Sequence, residues 1–248
     1  MTIHLYTVCW NEIRILPYFL RYYEQFCDAI IIYDNGSDDG SMELIASHPL
    51  CKLRHVDSNG EFDEGTMLRV KGQEWKQSRG VADWVISCDI DEILHHPELP
   101  QFLEECRGAG VTVPVPSGFQ MVSRRFPAHN GQISDVVSAG FRDSFFDKRI
   151  IFNPAAIREI NYSPGCHWAR PDGDVRERID PALKLLHFKY LGLEYLTARY
   201  AALDRRRSQF NRQHGYGDQY SWSAVTLDAE LAKYLSWAKP VDLGRRQN

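Results

Sequence analysis

The chain has 248 residues, 44% hydrophobic and 12% aromatic, enough apolar side chain for a sizeable core in one α/β domain and too much for a disordered tail. Its formal net charge of -4 excludes a global basic field for nucleic acid or anionic lipid, so a polyanionic ligand has to be held by local charges. Six cysteines without a C-x-x-C pair, an N-terminus without a basic stretch leading into an apolar one, and no segment near the roughly 18 apolar residues of a membrane span lead us to expect a reduced, cytoplasmic protein whose membrane contact is at most peripheral, at the inner face.

The predicted elements begin with strand, helix, strand. IHLYTVCW (3–10) is the first strand and AIIIYD (29–34) the second; between them Leu16, Phe19, Leu20, Tyr23, Phe26 and Cys27 recur at helical spacing, with Pro17 tolerable only in the first turn. NGSDDGS (35–41) is a turn, SMELIASH (41–48) a short helix, KLRHVD (52–57) a third strand, TMLRVKGQEWKQSR (66–79) a longer helix, and DWVISCD (83–89) a fully buried strand. This alternation predicts an α/β fold with a mostly parallel central sheet flanked by helices. ELPQFLEECRGAG (98–110) is a helix with a glycine-rich stop, and residues 111–154 loosen into short strands among polar loops. LKLLHFKYL (183–191) reads as one more strand and LEYLTARYAALDRRRSQFNRQ (193–213) as an amphipathic helix.

Three carboxylates, Asp89, Asp91 and Glu92, follow directly on the apolar run of the fourth strand. Two Asp at i and i+2, where a buried strand opens into a loop, can converge on a hard divalent cation that leaves positions free for phosphate oxygens. The cation would relieve their repulsion. The alternative is a solvated strand-to-helix turn in which Asp91 or Glu92 caps the next helix. Open parallel sheets bind ligands at the carboxyl ends of their strands, where Asp34, Asp89 and the Trp10-Asn11-Glu12 corner all fall. Gly36 and Gly40 would let a ligand approach the backbone closely, and Asp34 suits ribose hydroxyls or a base N–H.

WNEIRILPYFLRYY (10–23), AIIIYDNGSDDGS (29–41) and DWVISCDIDEIL (83–94), in this order, resemble the GT-A glycosyltransferases of the family-2-like group with its DxDE motif. The resemblance implies a Rossmann-like nucleotide-diphospho-sugar transferase fold in one continuous domain, with residues 1–95 binding the nucleotide sugar and 96–248 the acceptor. It implies a nucleotide-sugar donor, UDP being the commonest nucleotide, a divalent Mn2+ or Mg2+ ion, and a glycan, lipid-linked or other hydroxyl acceptor, as in polysaccharide biosynthesis. Carried over by position, Thr7 and Glu12 line the nucleoside pocket, Asp34 contacts the nucleoside, and Gln73 stands where relatives often carry a glutamine. Asp89 and Asp91 form the D-x-D, with Asp91 the more direct metal ligand, and Glu92 supports them or faces the acceptor.

In the second half KRIIFNP, PGCHW and LLHFKYL resemble the group's later blocks. That resemblance makes His187 a third metal or diphosphate ligand, His167 a further active-site residue, and Lys189 or Lys148 a phosphate contact. Inverting transfer needs a general base on the acceptor side. The group's E-D motif has no clear copy after residue 95, which leaves Asp143, Asp147, Glu159 and His167 as candidates. The adjacent His95 and His96 read as a polar loop, with assistance to a metal as the alternative, and Arg199, Arg205, Arg206, Arg207 and Arg212 as a solvated helix face, with membrane-surface or anionic-glycan binding as the alternative.

A haloacid-dehalogenase-like phosphatase is the main enzymatic rival, because CDIDEIL imitates its nucleophile block. Glu92 and Ile93 do not supply the Thr or Val expected there, and YDNGSDDGS has no role in it. A nucleotidyltransferase would need a Gly-rich basic loop near the first strand, which WNEIR is not. A nucleotide- or glycan-binding module of the same fold without turnover is the non-enzymatic reading.

Overall fold

The structure, a computed structural model, describes residues 1–244. In chain order the elements are β1 (Ile3–Cys9), α1 (Leu16–Tyr23), β2 (Ala29–Asp34), α2 (Ser41–Ser47), β3 (Cys51–His55), α3 (Glu64–Gln73), β4 (Trp84–Ser87), β5 (Glu92–His95), α4 (Leu99–Gly108) and β6 (Val113–Ser123). There follow α5 (Ile133–Val136), β7 (Ala139–Arg142), β8 (Ile151–Phe152), β9 (Ile157–Glu159), β10 (Asp172–Gly173), β11 (Glu177–Leu191), α6 (Leu193–Arg206), α7 (Gln209–His214), α8 (Ala224–Trp237) and β12 (Lys239–Pro240).

The first sheet has the order β3-β2-β1-β4-β8, and its first four strands are parallel. Every residue of β2 is buried, which is why its sequence is continuously apolar rather than alternating. The short β8 closes the far edge in antiparallel pairing with β4. Helix α1 buries Leu16, Phe19, Leu20 and Tyr23. The Tyr23 hydroxyl accepts from Leu94 N at 2.9 Å and donates to Glu92 O at 3.1 Å, so the helix fixes the segment that carries the acidic triplet.

The acidic triplet leads into a strand and not into a helix. Glu92 opens β5, which pairs antiparallel with β11 in the second sheet, order β12-β7-β6-β11-β5, placing Glu92 opposite His187. In that sheet β6 and β11 are parallel and the other pairings antiparallel. The mostly parallel arrangement expected from the first ninety residues therefore describes the first sheet, and the later strands build a mixed one.

Two helices differ from expectation for local reasons. Helix α3 starts at Glu64 because Asp63 caps it, accepting from Thr66 N at 2.8 Å, and its last turns tighten to a 3-10 helix over Glu74–Ser78. The helix expected over 193–213 breaks into α6 and α7 at Ser208, whose side chain caps α7 through Asn211 N and whose own N–H goes to Phe62 O at 3.0 Å. The break stitches the C-terminal half onto the loop before α3. All six cysteines are free and five are buried. Among the described residues no helix is long and apolar enough to cross a membrane.

Candidate functional site

The carboxyl ends of β1 and β4, one face each of α3 and α6, the middle of β11 and the loop around residues 164–167 enclose a cavity of about 380 Å3, within the size range of small-molecule sites. At the end of β1, Asn11 takes a left-handed conformation, φ 51°, which asparagine tolerates better than most residues. Its side chain donates to Asp38 Oδ1 at 2.7 Å and accepts from Asp38 N at 2.9 Å, while Glu12 N donates to Ser41 Oγ at 3.0 Å. This turn aims Trp10 and Glu12 into the cavity.

Helix α6 meets them from the opposite wall. Arg199, Leu203 and Arg206, spaced i, i+4, i+7, all line the cavity. Arg199 donates to the Glu12 carboxylate and, at 3.0 Å, to Trp10 O. The Arg206 guanidinium lies 3.9 Å from the centre of the Trp10 ring and donates to Asn35 O at 2.9 Å, a cation-π contact at the cavity wall. This corrects the reading of the arginine helix as a solvated face: two of its arginines are cavity residues.

The three clustered carboxylates have separate partners. Asp89 receives Lys71 on one oxygen and has Lys148 at 3.7 Å from the other; Lys148 also donates to Glu92 at 2.5 Å. Glu92 and Lys148 have side chains 1% and 2% exposed, so this is a buried pair. Burial alone would lower both ammonium groups, but Asp89 and Glu92 more than offset it and hold them above their ordinary range. Burial would likewise raise the Asp89 carboxyl, and the two lysines pull it down. Asp89, expected to face a cation, has two lysines of the chain as its cationic partners.

Asp91 is different. Its Oδ2 lies 3.3 Å from His187 Nε2, and both residues line the cavity. Burial would raise the Asp91 carboxyl, but the charge and hydrogen bond of His187, with Arg199 and Lys189 beyond, hold it well below the usual range. The other ring nitrogen, Nδ1, is 2.7 Å from Gln120 Oε1, and Gln120 Nε2 is 3.4 Å from Asp143 Oδ2. The ring thus bridges two acceptors, Nδ1 facing the Gln120 amide oxygen and Nε2 facing the Asp91 carboxylate. Asp91 and His187 could hold a divalent ion as two of its ligands, the rest coming from phosphate oxygens and water. No cluster of three His, Cys, Asp or Glu suited to a metal occurs among the described residues.

Lys189, half-buried on the same wall, has no hydrogen-bonding or ion-pair partner among the described residues; its ammonium stands 4.9 Å from the Tyr200 ring and 5.3 Å from the Tyr220 ring. Burial pushes it down to about 8, against the pull of Asp91. His167 enters from the loop opposite. Its Nδ1 is 3.3 Å from Phe145 O, its ring stacks on Phe145 at 3.8 Å, and its Nε2 has no partner among the described residues. Burial, then the charges of Lys148 and His187, push it down to about 3, so the ring is neutral. Gly165, φ 72°, makes room for it: a Cβ there would sit 2.7 Å from His167 Cδ2.

Glu12, Asp89, Asp91, His167, His187 and Lys189 thus meet in one cavity. Four expected residues do not reach its wall. Asp34 is consumed by its own turn, accepting from Gly36 N, Ser37 N and Ser37 Oγ at 2.5 to 3.0 Å. Thr7 is buried with its hydroxyl turned back toward Val8 O, 3.5 Å away. Gln73 is exposed at the end of α3 and accepts from Lys76. Asp143 caps a 3-10 turn, accepting from Phe145 N, and touches the site only through Gln120. Of the other base candidates, Asp147 is held by Gly118 N and Arg142, and Glu159 by Lys76. His95 binds Leu243 O and His96 stacks on Phe102, both away from the cavity.

Lys71 and Glu64 are cavity residues that the sequence reading passed over. With Met67 they form an i, i+3, i+7 stripe on α3, and both charged members are 7% exposed. Ionisable residues on the buried stripe of a helix are the signal that could have found them.

No family model and no curated protein matches the chain. Among solved structures, residues 1–349 of S. aureus TarS in complex with UDP-GlcNAc are similar at 13% identity and a TM-score of 0.49, over 95% of this chain and 72% of that one. A second structure of the same fragment aligns at 12% identity and 0.47, over 95% and 71%. The longer TarS structure aligns at 12% and 0.46, and only 43% of it is covered. Identities this low assign no role to any residue of this chain.

Proposed function

We propose that this protein is a glycosyltransferase that moves a sugar from a nucleotide-diphosphate sugar, UDP being the favoured nucleotide, to a hydroxyl acceptor. The observation that carries the reading is the convergence, in one cavity at the strand ends, of an Asp91–His187 pair, the unpartnered ammonium of Lys189 and the Trp10–Arg206 stack. A diphosphate needs cationic partners and a base needs a flat one, and this cavity offers both.

Asp91 and His187 are the residues that would hold a divalent ion, which when bound would offset charge developing on the leaving diphosphate. Lys189 adds a fixed positive charge beside them. On the acceptor side, the neutral His167 offers Nε2 to a hydroxyl proton; as the hydroxyl oxygen bonds to the anomeric carbon and the bond to the diphosphate breaks, that proton passes to the ring. An incoming diphosphate would counter the charge of Lys148 and raise the basicity of His167 in the complex. The transfer we propose is inverting, which requires the base and the leaving group on opposite sides of the sugar. The acceptor would be a glycan, lipid-linked or not.

The test is thermal stabilisation of wild type and Asp91→Ala by UDP, GDP, CDP and dTDP, each with and without Mn2+, since a ligand that binds the native state raises its apparent stability. Stabilisation by one nucleotide, strengthened by the metal and lost in the variant, is expected. Absence of any nucleotide effect would remove the donor site.

A further inference from the structure

Beside the cavity, Trp168 and Phe145 expose 60% and 46% of their surface. Exposed aromatic rings add little to folding, yet the backbone that carries Trp168 is tightly held. Ser163 N donates to Trp168 O at 2.9 Å, Trp168 N lies 3.2 Å from Ser163 Oγ, and Tyr162 and Ala169 bridge just outside. Within the loop, Gly165 N donates at 2.5 Å to Glu64, a buried carboxylate of α3. Two successive left-handed residues, Gly165 at φ 72° and Cys166 at φ 54°, complete the bend. Such fixing holds a surface tryptophan in one place before any ligand arrives.

The two rings stand 6.2 Å apart at 80° to each other, meeting edge to face at a corner, and Phe145 stacks on His167, which lines the cavity. The corner is therefore continuous with the cavity through the His167 ring, whose Nε2 has no partner among the described residues. Two exposed rings offer far less area than a protein–protein interface and so suit a single ligand ring. A pyranose ring is such a ligand: its C–H face carries partial positive charge toward the negative face of an aromatic ring, while its hydroxyls stay available at the rim.

We infer that the Trp168–Phe145 corner is the subsite for the acceptor's terminal pyranose ring, seating it so that one hydroxyl meets His167 Nε2. The inference rests on the transferase reading for the word acceptor, and on the corner's own geometry for the sugar. Trp168 and Phe145 are binding residues, outside the donor side of the cavity.

Saturation-transfer NMR from the full chain to a panel of methyl hexopyranosides and methyl N-acetylhexosaminides tests it, alongside nucleotide thermal shifts on the same samples. Wild type is expected to transfer saturation to the ring C–H protons of at least one glycoside, Trp168→Ala to lose that transfer, and Trp168→Phe to keep part of it. Both variants should show the wild-type thermal shift with nucleotide. Undiminished transfer in Trp168→Ala, no transfer to any glycoside, or Trp168-dependent binding to phosphatidylglycerol vesicles in place of sugar would each overturn the subsite. Trp168-dependent sugar binding without any nucleotide effect would uphold the corner as a sugar site and overturn the transferase reading instead.

Discussion

Asp34 and Asp89, at the ends of two strands of the first sheet, have their carboxylate oxygens occupied by neighbours within the chain: a turn for the first, Lys71 and Lys148 for the second. On β11, in the second sheet, His187 holds Asp91 with one nitrogen while Gln120 orients the other, and Lys189 two residues on has no polar partner among the described residues. One region spends its charged groups on shaping the rim, and the other keeps them open to a ligand. Motif density therefore marks where the rim is built, and the reactive atoms come to it largely from residues far along the chain.

The largest test of this contrast is Lys148→Met. It strands Glu92, 1% exposed, without its cation, and breaking a buried pair from one side costs about 3–5 kcal/mol. Chemical denaturation should show a loss of that size, and Glu92→Gln in the same chain should recover part of it. A loss below about 1 kcal/mol, the worth of a surface pair, would mean that the lysine network is not the rim's scaffold. Next, Asp91→Asn should lower turnover by about 10²–10³-fold, as removal of an electrostatic stabiliser does, a fall out of proportion to the stability lost with its His187 pair. Asp89→Asn should show the converse, a loss mainly of stability. Equal behaviour of the two variants would erase the distinction between the regions. Gln120→Leu acts at one remove: freeing the His187 ring should weaken metal-supported nucleotide stabilisation by about 10–100-fold in apparent affinity.

The first sheet was legible because continuous apolar runs alternate with helical spacing over residues 3–89, and each strand ends at a turn former. Asp91 and His187 could be named from motifs, but their partnership follows from the pairing of β5 with β11, in which Glu92 faces His187. Nothing local announces that pairing. The same holds for Lys148, 56 residues from Glu92, and for Arg199, 187 residues from Glu12. Asp34 could be read either way because a strand-end aspartate serves a turn and a ligand with the same residue type, and its hydrogen bonds to Gly36 and Ser37, which show the turn role, are not visible in the sequence.

The smallest expected effect bears on whether the cavity keeps His167, on the loop facing β11, neutral. Burial and the charge of Lys148 push it down to about 3 in the folded chain, while in the unfolded chain it titrates near its ordinary 6.5. Between those values the unfolded chain takes up a proton that the native one refuses. Stability is therefore unaffected above pH 6.5 and falls as the pH drops below it, by about 1.4 kcal/mol per pH unit for this one proton. Denaturation of wild type and His167→Gln at pH 7.0 and at steps down to pH 5 isolates the effect, because His4 and His96, also pushed down by burial, are common to both chains. Wild type should lose stability more steeply than the variant below pH 6.5. Parallel loss would show that His167 accepts its proton as an exposed histidine does, with no burial holding the ring neutral below pH 6.5.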